Sequence, residues 1–217
     1  IVIPARSAVK FTPGKKMPNL DKGVRYISQI HMKITGFDFT EKSIFVKRNS
    51  LWDQERFRVQ YGDVLIARSG VASIGRTEIY DSGIPAVVSC FVDIFRQKRL
   101  NPFYITVFMK SMYGKIQVER LLSGVGTVNI DFDDIKSIQI PFITEFLQKK
   151  IELAYKKMSK YHDKAMEIKA KMIKAGKTNK EAEQNLEYQQ YIQEAESLLQ
   201  DLIQRTEEMI EGKRKDI

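Results

Sequence analysis

Residues 70–77 read Gly70-Val71-Ala72-Ser73-Ile74-Gly75-Arg76-Thr77, two glycines followed by a cation and a hydroxyl. This is the spacing of the phosphate-binding loop G-x-x-x-x-G-K-[ST], with Arg76 at the lysine position. Such a loop works because its backbone N–H groups and the N-terminus of the following helix face the phosphates. A helix must therefore start near Gly75. Instead Thr77-Glu78-Ile79-Tyr80 runs directly into Asp81-Ser82-Gly83-Ile84-Pro85, which leaves no room for one. Arginine is also a poor substitute, because its fork is larger and differently directed. Nucleotide hydrolysis is not expected. The expected arrangement is two strands, about 63–68 and 75–80, joined by a small-residue loop over 69–73 that lets the backbone approach a ligand.

The other chemistry on offer is thin. Asn101-Pro102-Phe103-Tyr104 resembles the target-base signature of adenine-amino methyltransferases, but the second proline is absent and no glycine-rich cofactor loop precedes it. It reads as a helix start, with Asn101 as cap and Pro102 in the first turn. The two histidines, His31 and His162, are far apart, and His162 is expected on the solvated, charged side of a long helix. Asp131, Asp133 and Asp134 fit a capped helix start better than a metal site. No Cys/His cluster has metal-ligand spacing. No metal and no cofactor is expected. The single cysteine, Cys90, is expected to be a small buried hydrophobe within a strand. Nothing argues for an oxidising compartment, and a cytoplasmic protein is expected. No run reaches the roughly 20 apolar residues of a membrane span.

What remains is binding. The 217 residues carry 36 Lys+Arg against 27 Asp+Glu, a net charge of +9. Residues 1–141 hold 21 and 13 of these, a net of +8, whereas 142–217 hold 15 and 14, a net of +1. A basic part joined to a nearly neutral one points to a polyanion partner for the first. Its cations lie in segments between strand candidates: Lys15, Lys16, Lys47, Arg48, Arg56, Arg58, Arg68, Arg76, Lys98 and Arg99. Cations so placed can neutralise phosphates, and polar side chains on a rigid scaffold can read base edges. The expected DNA-contacting set is Arg68, Ser69, Ser73, Arg76 and Thr77, with Lys47, Arg48, Lys98 and Arg99 on the backbone.

Two textures must position these groups. Up to residue 141, turn chemistry separates short strand candidates at 26–30, 43–46, 63–67 and 86–95. One clear helix follows Asn101, with Tyr104, Val107, Phe108 and Met112 at helical spacing; Gly114 ends or loosens it, and a further helical stretch is expected over 116–122. The fold class expected for 1–141 is α+β, a mixed sheet with one or two packed helices. After Pro141, Leu147, Ile151, Ala154, Met158, Tyr161, Ala165, Ile168 and Met172 recur at alternating spacings of about four and three. A break at 175–180 precedes a second seam through Tyr188, Ile192, Ala195, Leu199, Leu202, Thr206 and Met209. An antiparallel coiled-coil hairpin, with helices at about 144–175 and 181–212, is expected; one continuous bent helix is the alternative. Tyr161, Tyr188 and Tyr191 widen the apolar face, so a further helix from a second copy or a partner is expected to join.

The order of segments resembles the target recognition domain of type I restriction-modification specificity subunits. Residues 23–30, Gly-Val-Arg-Tyr-Ile-Ser-Gln-Ile, are similar to that family's G-x-x-Y-I-x-x-x-D-I. Residues 61–70 resemble its x-G-D-[IV]-L-x-x-x-x-G strand and loop, followed by Ile74-Gly75. Residues 101–104 match the P-x-Y-L helix start, and 124–130 resemble the G-x-x-x-x-x-I turn. Ile138-Gln139-Ile140-Pro141 and Gln148-Lys149-Lys150-Ile151 resemble the hinge into the spacer helix, without its usual second proline. Each motif is weak alone; their order over 20–155 is the specific feature. The resemblance implies a non-catalytic reader of one half of a split duplex DNA site. It also implies that the helices separate two such domains and dock adenine methyltransferase and restriction subunits, with a homodimer through the helices where one recognition domain stands alone. The target recognition end of a fused restriction-methylation enzyme, or a coiled-coil assembly protein, remain alternatives.

Overall fold

The structure is a computed structural model that describes residues 2–3, 23–40, 42–70, 72–122 and 129–217. Lys15, Lys16 and the turn expected over 124–128 lie outside the described residues. Eight strands are described: β1 (Val2–Ile3), β2 (Val24–Ile27), β3 (Phe45–Val46), β4 (Arg58–Val59), β5 (Asp63–Ala67), β6 (Thr77–Tyr80), β7 (Ala86–Val88) and β8 (Val92–Phe95). The helices are α1 (Pro102–Lys110), α2 (Met112–Arg120), α3 (Phe132–Ser137), α4 (Glu145–Lys174), α5 (Asn179–Glu183) and α6 (Leu186–Ile210). The α+β class with mixed pairing is what the strand and helix signals predict.

The strands form two four-stranded sheets. One, in the order β1-β8-β5-β6, is antiparallel throughout. The other, β3-β2-β7-β4, pairs β2 with β7 in parallel and is otherwise antiparallel. β5 shows how the layers form. Successive strand side chains point to opposite faces. Val64 and Ile66 enter a core shared with α1, α4 and α6, while Leu65 and Ala67 enter a core shared with the second sheet. β5 therefore reads as an unbroken apolar run because it is covered on both faces.

The run at 86–95 is not one strand. It breaks at residues 89–91, where Val92 N–H donates to Ser89 O and the Ser89 hydroxyl accepts from Phe91 N–H. β7 joins one sheet and β8 the other. Cys90 consequently lies in a half-exposed turn rather than a strand, and its partial burial pushes its thiol pKa up. The strand expected over 26–30 similarly ends at Ile27, where a 3-10 turn over Gln29–His31 takes over.

Helix boundaries follow the capping chemistry. Asn101 accepts from Phe103 N–H and Pro102 occupies the first turn of α1. Ser111 rather than Gly114 separates α1 from α2, and Gly114 lies inside α2. Asp131 and Asp134 form the capping box of α3. α4 and α6 form the hairpin, not one bent helix. Gly176 ends α4 at φ +83°, a left-handed conformation that glycine adopts without a Cβ penalty. Thr178 with Glu181, and then Asn185, cap α5 and α6.

The apolar core does not stop at Pro141. It runs from Val64 and Ile79 through Phe103 and Phe108 into Ile151, Tyr155 and Met158 of α4 and Leu199 and Leu202 of α6. Each such buried side chain contributes about 1.5–3 kcal/mol. The layer that joins the two seams is thus α1 and the antiparallel sheet of the same chain. Tyr161 and Tyr191 pack on each other across the hairpin at 6.3 Å.

Candidate nucleic-acid interface

The described residues of the 70–77 segment show no phosphate-cradle geometry. β5 ends at Ala67, and a tight turn returns the chain to β6. The N–H groups of Ser73 and Ile74 donate to Gly70 O, and that of Gly75 to Ala67 O, so they face inward. Gly75 sits at φ +78°, and a Cβ there would lie 2.7 Å from a Val118 methyl. The strand–turn–strand expectation holds, and the backbone's close neighbour is α2.

The inner group of expected contacts spends its polar atoms inside the protein. Arg68 is buried, 3.8 Å from both Asp93 and Asp131, and donates to Ile130 O. Ser69 and Thr77 are buried, and the Thr77 hydroxyl donates to Gly75 O at 3.0 Å. The Ser73 hydroxyl faces Ser69 O and Gly70 O. Half-buried Arg76 donates to Met32 O at 3.1 Å. These residues build the turn and tie it to neighbouring segments.

The outer group is different. Lys47, Arg48, Lys98 and Arg99 are exposed, and so are Arg56, Arg58 and Lys149. Hydrogen bonds link the segments that carry them. Buried Asp53 anchors the loop of residues 47–57: it accepts from Asn49 N–H at 2.8 Å and from the Arg58 fork at 2.8 and 3.0 Å. The Arg58 guanidinium beside it holds the Asp53 carboxyl below the usual range. Arg96 then clamps buried Asp63 with two bonds of 2.5 and 2.6 Å and reaches Arg58 O at 3.4 Å. Two residues on, Lys98 and Arg99 occupy a turn pinned by the Gln97 side chain, which accepts from Arg99 N–H and Leu100 N–H. They border a hollow of about 610 Å³ whose other wall is the start of α4, with Phe146, Glu145 and the Lys149–Glu152 ion pair. A band of cations on bonded loops therefore leads from β3 to α4. Such a band presents fixed positive charge to a polyanion. Among the described residues no group of His, Cys, Asp and Glu could hold a metal ion, and no helix is long and apolar enough to cross a membrane.

Behind the band, a second set of residues fixes the long helix to the sheets. Gln148, Tyr155, His162 and Lys169 recur every seven residues on α4, each directly after a seam position, and all four are buried. Gln148 accepts from Asn101 N–H at 2.6 Å and donates to Ile143 O at 2.7 Å. The Tyr155 hydroxyl donates to buried Glu78, whose other oxygen takes a bond from Lys110 at 2.9 Å. Burial, with the Glu78 charge, drives the Tyr155 pKa well above its ordinary value. His162 bonds Thr35 Oγ1 at 2.9 Å and Phe37 O at 3.0 Å. Lys169 donates to Asp38 at 2.7 Å and to Glu183 at 2.5 Å. Burial opposes the charge on Lys169 and on Asp38, but their mutual bonds outweigh it, raising the first pKa and lowering the second.

His162 is thus not on a solvated face. Hydrophobic periodicity cannot detect this stripe, because its members are polar. The one signal available is the seven-residue recurrence of Gln, Tyr, His and Lys beside an apolar seam.

No family model and no curated relative matches the sequence. One similar solved chain comes from a study of complex assembly and conformational transition of the type I R-M system. It superimposes with a TM-score of 0.49 at 13% identity. The match covers 88% of this chain, which spans 41% of that chain's length.

Proposed function

We propose that the chain is a non-catalytic reader of duplex DNA, the specificity subunit, or a part of one, of a type I restriction-modification complex. Residues 1–141 would act as the recognition domain and 142–217 as the spacer that docks methyltransferase subunits. The exposed cation band from Lys47 and Arg48 to Lys98 and Arg99 carries this reading. It is built on loops pinned by Asp53 and Asp63, as phosphate contacts that set register require. The order of the family-like motifs over 20–155 supports the same reading. Arg68, Ser69, Ser73, Arg76 and Thr77 would then build the turn between β5 and β6.

The test is selection from randomised duplexes with a methyltransferase subunit present. One half-site should be enriched, and affinity should fall steeply with salt. Replacing Lys98 and Arg99 together with alanine should weaken all sequences alike and lower the salt slope by about one unit for each phosphate no longer neutralised. Selection without an enriched half-site, or an unchanged salt slope, rejects the reading.

A further inference from the structure

A trough runs between α2, α6 and residues 74–77, on a different part of the surface from the cation band. It consists of a cavity of about 420 Å³ and a neighbouring one of about 480 Å³, which share Lys110, Lys115, Glu119, Gln200 and Ile203. Val118, Leu199 and Ile203 form an apolar floor. Ile34, Met112 and Ile116 stand on its rim at 56, 49 and 38% exposure. Clustered exposed apolar side chains around an elongated depression mark a contact surface.

Its charge is polarised. Lys33 and Arg76 border the first cavity alone and Glu207 the second alone, while Lys115 and Glu119 line both. Lys110, also there, is neutralised by Glu78. A nucleic-acid backbone fits poorly, because the floor is apolar and Glu119 and Glu207 repel phosphate. A second copy of the chain also fits poorly: its acid-rich helix α6 already spends its apolar side on the core. We infer that the trough receives an amphipathic helix of another protein. That helix would seat apolar side chains at i, i+4 and i+7 on the floor and place carboxylates over Lys33, Arg76 and Lys115. It would also contact the turn at Gly75 and Arg76 from behind.

The full chain, immobilised, is panned against a displayed library of randomised 14-residue helical peptides. Enriched peptides should carry the apolar spacing and a net negative charge. Their affinity should drop at least tenfold on Ile116→Asp and severalfold on Lys115→Glu. Both positions are exposed, and unchanged melting curves establish that the variants fold. Ile116→Cys should react freely with a maleimide in the free chain and be protected by an enriched peptide. The inference is overturned by no enrichment, by enriched basic peptides, or by equal binding to Ile116→Asp. It is also overturned if the cysteine is protected without peptide, if duplex DNA displaces the peptides, or if Ile116→Asp dissolves a self-dimer in sedimentation. Half-site selection is a separate readout, so failure here leaves the DNA reading standing, and the reverse.

Discussion

Two neighbouring stripes of α4 bind it to the rest of the chain by different physics. The seam through Ile151 and Met158 is apolar and shares a core with α6. The stripe one position on, Gln148, Tyr155, His162 and Lys169, is polar and equally buried. Apolar contacts are non-directional, so the seam holds the helices together without defining one rotation or height. The polar stripe makes directional bonds to Asn101, Glu78, Thr35 and Asp38, which lie on three separate segments. Together they hold α4 at one height and one rotation against the sheets. On the proposed reading of residues 142–217 as a spacer, that register is the useful property.

The comparison breaks most sharply at Lys169. Lys169→Ala leaves Asp38 buried without its cation, which costs about 3–5 kcal/mol. Pairing it with Asp38→Leu removes the stranded charge and should recover most of the loss. Urea unfolding of the two variants decides this. If the single variant loses less than about 1 kcal/mol, the stripe does not hold the helix. On the seam, Leu199→Ala should cost about 2–5 kcal/mol through the cavity it leaves. No partner substitution of the kind that rescues Lys169 exists there, because no charge is stranded. A double cycle of Leu199→Ala with Lys169→Ala should be close to additive if the stripes act independently.

The seam was legible in the sequence and the stripe was not, for a physical reason. Leu147, Ile151 and Met158 announce a buried face by hydrophobicity, whereas His162 and Lys169 are types that normally face water. What buries them is the bonding partner on another segment, and Thr35 and Asp38 are more than a hundred residues away. The same limit divides the expected DNA contacts. Residue type and sequence position put Arg68 and Thr77 in the leading contact set and Lys47, Arg48, Lys98 and Arg99 on the DNA backbone. Only the turn geometry and the acids Asp93 and Asp131 show that Arg68 points inward. Likewise the break at residues 89–91 is hidden inside an apolar run, because both halves are buried strands that enter different sheets.

A smaller effect sharpens the comparison at His162. Gly36 lies against its ring, and a Cβ there would come within 2.6 Å of the ring carbon Cδ2. Gly36→Ala should displace the imidazole from Thr35 and Phe37 and cost about 1–3 kcal/mol by overpacking. The ring proton resonances of His162 should shift while the seam methyl resonances stay in place. Shifts that spread equally to Leu199 would mean that the stripe and the seam are one mechanical unit.

The smallest expected effect is on the acid limb of stability, at Glu152, where α4 meets the cap of α1. Its carboxylate accepts from Lys156 at 2.6 Å, from Asn101 at 2.8 Å and from Lys149 at 3.0 Å. Burial alone would raise its pKa, but these bonds outweigh it and bring the value from 4.5 down to about 2. A carboxyl depressed on folding stabilises the native state above its unfolded pKa. That contribution is fully present at neutral pH and drains away as pH falls from about 4.5 to about 2. Glu152→Gln keeps the shape and the Asn101 contact but cannot titrate. The variant should therefore be somewhat less stable at pH 7, converge with the parent near pH 2, and show a flatter urea-midpoint profile between. Parallel profiles for the two proteins would mean that Glu152 is not held by these bonds. Among the polar bonds at this junction of α4 with the α1 cap, that of Gln148 would then be the one left.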